Sequence, residues 1–322
     1  MEDGNGTTLT DVSGYGNDGT INGASWTTGV ASTSYDNTPK TISGEGGGNA
    51  LSFDGNNDNV QIANQSSATT VFSNNISVST WAMVTGGAGT ERYIITNGGP
   101  NKDGYFLFAT VKNKFTGILD VTGSRMADVT GITTISLNTW YHIALVYNGS
   151  SLKLYLNGHI DGENSSASGE VVDPVENSTM YIGSRQNPDK FFPGKIDEFS
   201  IWDDALTADE ITALYNSGTA LDARTNSGNY ASTGNLKGYW KMEDGSGTTL
   251  TDVSGYGNDG TIDGANWTTG VASTSYDNTP KVVDTTAPGV PSGLSATAGN
   301  KLVGLTWTAN SESDLASYKV YG

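Results

Sequence analysis

The chain has 322 residues, of which 43 are glycine, 8 are proline and only 35% are hydrophobic, a composition that suits short strands joined by many turns. It has no cysteine, which excludes disulfides, thiolate metal sites and a cysteine nucleophile. The formal net charge of −18 excludes a basic groove for nucleic acid, and no apolar run approaches the roughly 20 residues that would insert in a membrane. Such an acidic surface favours solubility and attracts divalent cations.

Residues 1–40, MEDGNGTTLTDVSGYGNDGTINGASWTTGVASTSYDNTPK, return as residues 242–281 with only Asn5/Ser246, Asn22/Asp263 and Ser25/Asn266 changed. A near-exact repeat at this spacing points to a tandem array rather than a single enzyme. Met1 aligns with Met242, so Met1 is expected to be internal to a longer chain. The opening MEDGNG has neither a charged n-region nor an apolar h-region.

Strand signals begin at Ala50–Phe53 and Val60–Ile62, on either side of an Asp54–Asp58 turn. Ile76–Val84 alternates as a strand. Tyr93–Ile95 and Tyr105–Phe108 follow between Gly/Asn clusters. Trp140–Tyr147 and Leu152–Leu156 form a hairpin around Asn148-Gly149, with a further turn at Asn157-Gly158. Tyr181–Gly183 and Ile196–Trp202 are late strands. Thr207-Ala-Asp-Glu210 is a capping box, and Ile211, Leu214 and Tyr215 make an apolar helical stripe that Gly218 ends. Leu236–Lys241, an apolar-aromatic strand signal, leads into the second repeat copy.

The order ALSFDGNNDNVQI, ISVSTWAMV, NTWYHIALVYNGSSLKLYLNG, YIGS and FPGKIDEFSIWDDALTADEITALY resembles the laminin-G-like group of concanavalin-A-like jelly rolls. The resemblance implies an all-β, two-sheet sandwich with one short helix, an extracellular or cell-surface placement, and a role in adhesion or glycan binding. From Asp284 onward, the proline-rich entry, Trp307 and Tyr318–Tyr321 resemble the first half of a fibronectin type III domain, which implies a partial second β-sandwich. The expected division is a sandwich at 1–220, a linker and repeat at 221–284, and the half-domain at 285–322.

Glucanases of this fold use two carboxylates on one strand, and no Glu-x-Asp-x-x-Glu strand is present, so no catalytic residue is assigned and the chain is expected to be non-enzymatic. His142 alternates within a strand and reads as a packed side chain, while His159 follows a turn. The family often carries a structural calcium that ties the first strand to the last. This implies Asp3 and Asp197 as ligands, with Asp54 as a weaker one beside its ordinary role as a turn cap. Glycan contact would fall to the aromatics Trp26, Tyr93, Tyr105 and Trp202, with polar help from Arg125 and Arg185. Two functions follow as expectations. One is a structural or adhesive repeat of a large surface protein or filament, whose partners are copies of itself or neighbouring units that share strands. The other is a carbohydrate-binding module of a secreted protein, whose partner is a glycan.

Overall fold

The computed structural model describes residues 8–9, 19–20, 48–63, 74–87, 89–97, 106–122, 124–172, 179–185, 190–275, 277–280, 292–299 and 302–308. In chain order the strands are β1 (Thr8–Leu9), β2 (Gly19–Thr20), β3 (Asn49–Asp54), β4 (Asn59–Ile62), β5 (Ile76–Val84), β6 (Arg92–Asn97) and β7 (Phe106–Val111). Next come β8 (Lys114–Val121), β9 (Ser124–Thr130), β10 (Trp140–Tyr147), β11 (Leu152–Leu156), β12 (His159–Asn164), β13 (Met180–Ile182) and β14 (Pro193–Trp202). Helix α1 (Ala208–Tyr215) precedes β15 (Leu236–Trp240), β16 (Thr249–Leu250), β17 (Gly260–Asp263), β18 (Asn266–Thr269), β19 (Ser292–Gly299) and β20 (Leu302–Thr308).

Two large sheets form the sandwich. One runs β12-β11-β10-β5-β14-β3-β18, with β15 also on β14; the other runs β16-β17-β4-β13-β6-β7-β8-β9. Their facing side chains, among them Leu51, Phe53, Val78, Phe108, Tyr141, Ile143, Ile196, Phe199 and Trp240, make the main core. Every residue of β10 is buried because both of its faces are covered. Tyr141, Ile143, Leu145 and Tyr147 point into the sandwich. Ala144 and Val146 face a second layer containing Trp202, Ile211, Leu214, Tyr230 and Tyr239.

The local signals produce their elements. The Asn157-Gly158 turn has φ of 50° and 86°, the left-handed pair that a two-residue hairpin requires. Helix α1 carries the full capping box: Thr207 Oγ1 accepts from Glu210 N, and the Glu210 carboxylate accepts from Thr207 N. Asn216, in the left-handed region, ends it.

Strand β14 changes neighbours halfway along. Pro193–Ile196 pair with β3, and Phe199–Trp202 pair with β15. The switch falls at a bulge where Glu198 has φ of 51°. The remaining repeat strands also enter the sandwich, with β17 on β4 and β18 on β3. The boundary expected at residue 220 is therefore moved. The body that starts at β3 is closed by residues 236–269, because β3 and β4 would otherwise be bare sheet edges.

Beyond the sandwich, β19 and β20 pair with each other alone. Leu294 and Leu305 stay exposed, at 70% and 39%, so this hairpin does not by itself show the expected fibronectin type III sandwich. The anticipated third strand, Tyr318–Tyr321, lies outside the described residues. Among the described residues no helix is long and apolar enough to cross a membrane.

Candidate functional site

Two polar constellations stand out. The first lies at the start of β6. The Tyr93 ring is 6% exposed, and its hydroxyl donates to Glu91 Oε1 at 2.9 Å. Arg185 Cζ sits 5.9 Å from the ring centroid and Lys190 Nζ 5.6 Å, so two cations lie close to one aromatic ring. Lys190 also pairs with the Glu91 carboxylate. Burial and the Glu91 charge push the Tyr93 hydroxyl up to about 12, so it stays a donor. For Glu91, burial is outweighed by Lys190 and Tyr93, which hold its carboxyl below its usual range.

The second constellation seats the repeat copy. Asp222 accepts from Arg224 through both carboxylate oxygens, Nε to Oδ1 at 3.0 Å and Nη2 to Oδ2 at 2.6 Å. Arg224 then donates to the carbonyls of Asp277 and Thr279. The Lys241 ammonium is fully buried and spends its three donors on Asp222 Oδ2, Ser275 O and Asp277 O. Burial opposes the ionised form of Asp222, but Arg224 and Lys241 hold its carboxyl below the ordinary value. Nearby, Asp197 Oδ1 accepts from Glu198 N and Oδ2 from Val271 N, both at 2.9 Å. The Glu198 carboxylate accepts from the Tyr239 hydroxyl. Burial pushes Glu198 up to about 7 against the pull of Lys241. Burial and the adjacent Glu198 charge raise Asp197 well above its usual range.

Of the residues singled out from sequence, Tyr93 and Arg185 are brought together. Trp202 is corrected: it is fully buried, its Nε1 donates to the Tyr230 hydroxyl at 2.9 Å, and its face is closed to any sugar. The cause is the layer of α1 and its following loop, which covers the outer side of β14. Arg125 lies within β9. Asp3, Trp26 and Tyr105 lie outside the described residues. Sequence reasoning missed Glu91, Lys190 and the Asp222–Arg224–Lys241 cluster. The signal available was a lysine set inside the aromatic run Gly238-Tyr-Trp-Lys241 of a chain with only 16 basic residues.

The described carboxylates do not fit a calcium ion. Asp54 accepts from Asn56 N, Asn56 Nδ2 and Asn57 N, which lower its pKa and mark a turn cap. Both Asp197 oxygens face N–H donors, whereas a cation needs free oxygen lone pairs. Asp54 is paired with Pro193, four residues along β14 from Asp197, or about 13 Å at the usual strand rise. Asp244, which aligns with Asp3, accepts from Thr251 and Asn278. Among the described residues no three His, Asp or Glu side chains gather as a metal site.

These features define a two-sheet β sandwich whose buried carboxylates are engaged in its own architecture. Residues 54–212 match the family model described as the concanavalin A-like lectin/glucanases superfamily, and the chain carries such a domain over that stretch. No curated protein sequence matches the chain. Its structure is similar to that of a protein from Bacteroides ovatus ATCC 8483 described as a carbohydrate binding protein, with TM-score 0.50 and 15% identity. That match covers 70% of this chain and 61% of the other, so the chain spans about three fifths of that protein. It is also similar to the heptameric SAP-like pentraxin of Limulus polyphemus, with TM-score 0.46, 15% identity, and coverage of 70% and 95%. At 15% identity the Bacteroides ovatus likeness speaks for the fold alone.

Proposed function

We propose that the chain is a non-catalytic structural or adhesive unit of a large extracellular repeat protein. The observation that carries this reading is the closure of the sandwich by residues 236–269, most of them in a segment that the same chain also holds at 1–40. A module completed by a duplicated segment suits a tandem array, in which each unit contacts its neighbours. The state of the acidic pair supports the absence of catalysis. Asp197 and Glu198 are 1% and 5% exposed and bonded to the fold, while a glycosidase needs two carboxyl groups flanking an accessible bond.

A second reading is glycan recognition, favoured by the partly exposed Lys190 and Glu91 pair with Arg185 near it, set over the buried Tyr93, and by the described role of the Bacteroides ovatus relative in fold. A glycan panel and a reducing-end assay on the full chain separate the two. The structural reading expects no sub-millimolar binding, that is, nothing stronger than about −4 kcal/mol, and no hydrolysis. Sub-millimolar binding that Lys190→Ala abolishes moves the assignment to glycan recognition, and hydrolysis overturns both.

A further inference from the structure

We infer that residues 1–40 are a second occupant for the groove that residues 242–281 fill, so the chain carries two interchangeable closing segments for its sandwich. Whichever copy is displaced is then free to close another body of the same kind. The inference goes beyond the proposed role and holds whether or not the module recognises a glycan.

Four observations carry it. First, the three positions that differ between the copies, Ser246, Asp263 and Asn266, are all exposed in the seated copy. Every buried residue of that copy, including Leu250, Asp252, Val253, Asn258, Ile262 and Val271, has an identical counterpart in residues 1–40. Second, β1 and β2 already pair Thr8 with Thr20 and Leu9 with Gly19. Displaced by 241 residues, this is the register of β16 and β17, Thr249 with Thr261 and Leu250 with Gly260. Third, the one charge difference favours the first copy. Asp263 adds repulsion to Asp58, whose pKa is raised first by burial, and Asn22 carries no charge. Fourth, the fit at the groove depends on repeated residues. A Cβ on Gly270 would lie 2.2 Å from Asp197 Oδ2 and 2.5 Å from Asn49 O, and its counterpart, Gly29, is also glycine. The seated copy is led in by β15, whose Trp240 is fully buried against Phe199.

The absence of cysteine makes disulfide trapping clean. Thr261 is opposite Gln61, so Gln61→Cys with Thr261→Cys reports the resident copy. Opposed antiparallel Cα atoms are about 4.5–5.5 Å apart, within disulfide range. Gln61→Cys with Thr20→Cys reports residues 1–40 in the same place. This second pair is made in full-length Ile262→Asp, whose buried carboxylate disfavours the second copy. Cross-linking is expected, as an intrachain loop or a covalent dimer, since either means occupancy. Adding Ile21→Asp should lower the yield about tenfold, equivalent to about 1.4 kcal/mol. A yield equal to this control, with the Thr261 pair oxidising fully, overturns the inference. Thermal melts guard against simple unfolding. Ile262→Asp should keep a cooperative transition that Ile21→Asp/Ile262→Asp loses, and identical melts for the two also overturn it.

Discussion

Trp240 decides whether residues 236–240 are part of the sandwich or an appendage to it. Its side chain is fully buried, its ring stacks on Phe199 with centroids 4.9 Å apart at 12°, and its Nε1 donates to Asn258 O at 2.8 Å. Trp240→Ala removes a buried indole, which typically costs about 3–5 kcal/mol including the cavity it leaves. Loss of the Trp240 Nε1 donor to Asn258 O adds about 1 kcal/mol. The expected loss is therefore roughly 4–6 kcal/mol in a urea titration followed by circular dichroism. For a domain of this size it corresponds to a Tm lower by roughly 10–20 °C. A loss below about 1.5 kcal/mol would show that β15 is peripheral, and the placement of the module boundary beyond residue 269 would fall with it.

Three further outcomes are expected. Gly270→Ala should destabilise by about 1–3 kcal/mol, because the new methyl meets the Asp197 carboxylate and the Asn49 carbonyl, whereas Gly29→Ala should change the Tm little while the second copy holds the groove. Equal effects from the two substitutions would contradict the observed seating. Glu198 has a folded pKa raised from 4.5 to about 7, so the folded state binds its proton more tightly than the unfolded chain does. Its contribution is complete below pH 4.5 and is lost as pH rises through 7. Wild type should therefore lose more Tm than Glu198→Gln between pH 4.5 and 7.5, and parallel profiles would refute the assignment. Thr207→Ala should cost about 1 kcal/mol through the lost N-cap, read as a shift in urea midpoint at constant m-value.

Much of the fold is legible from local chemistry. The Asn148-Gly149 and Asn157-Gly158 turns, the alternation in Ile76–Val84 and the Thr207–Glu210 box each specify one element with no knowledge of the rest. The candidate site is less legible, since it depends on which faces become covered. Trp202 reads as a possible sugar platform in its strand, but α1 and its following loop pack over that face and bury it completely. Tyr93 and Arg185 are 92 positions apart, and only the sheet path through β13 and β6 brings them to one place. The bulge at Glu198 is likewise hidden in sequence, because the residue there is an ordinary glutamate within β14, and its positive φ falls where β14 changes partners.

The ownership of the groove could not be read from sequence for a different physical reason. Two segments with the same buried residues make the same buried contacts with the edges of β3 and β4, and the one charge difference, Asp263 near Asp58, does not favour the copy that is seated. In the seated copy further hold comes from what is attached. The second copy is covalently preceded by β15 and held at its far end by Arg224 and Lys241. Tethering of this kind acts as an effective concentration, in the millimolar range for short flexible connections. Residues 1–40 are themselves joined to β3 by only residues 41–48, so they face the same groove at a comparable concentration. The anchoring of β15 on β14 adds to the hold of the seated copy beyond what the repeat itself supplies. Weakening that anchor, as Trp240→Ala does, should raise Thr20–Gln61 cross-linking in an otherwise native chain. If Trp240→Ala destabilises the chain without raising that yield, the two copies are alike in sequence but do not compete for the groove.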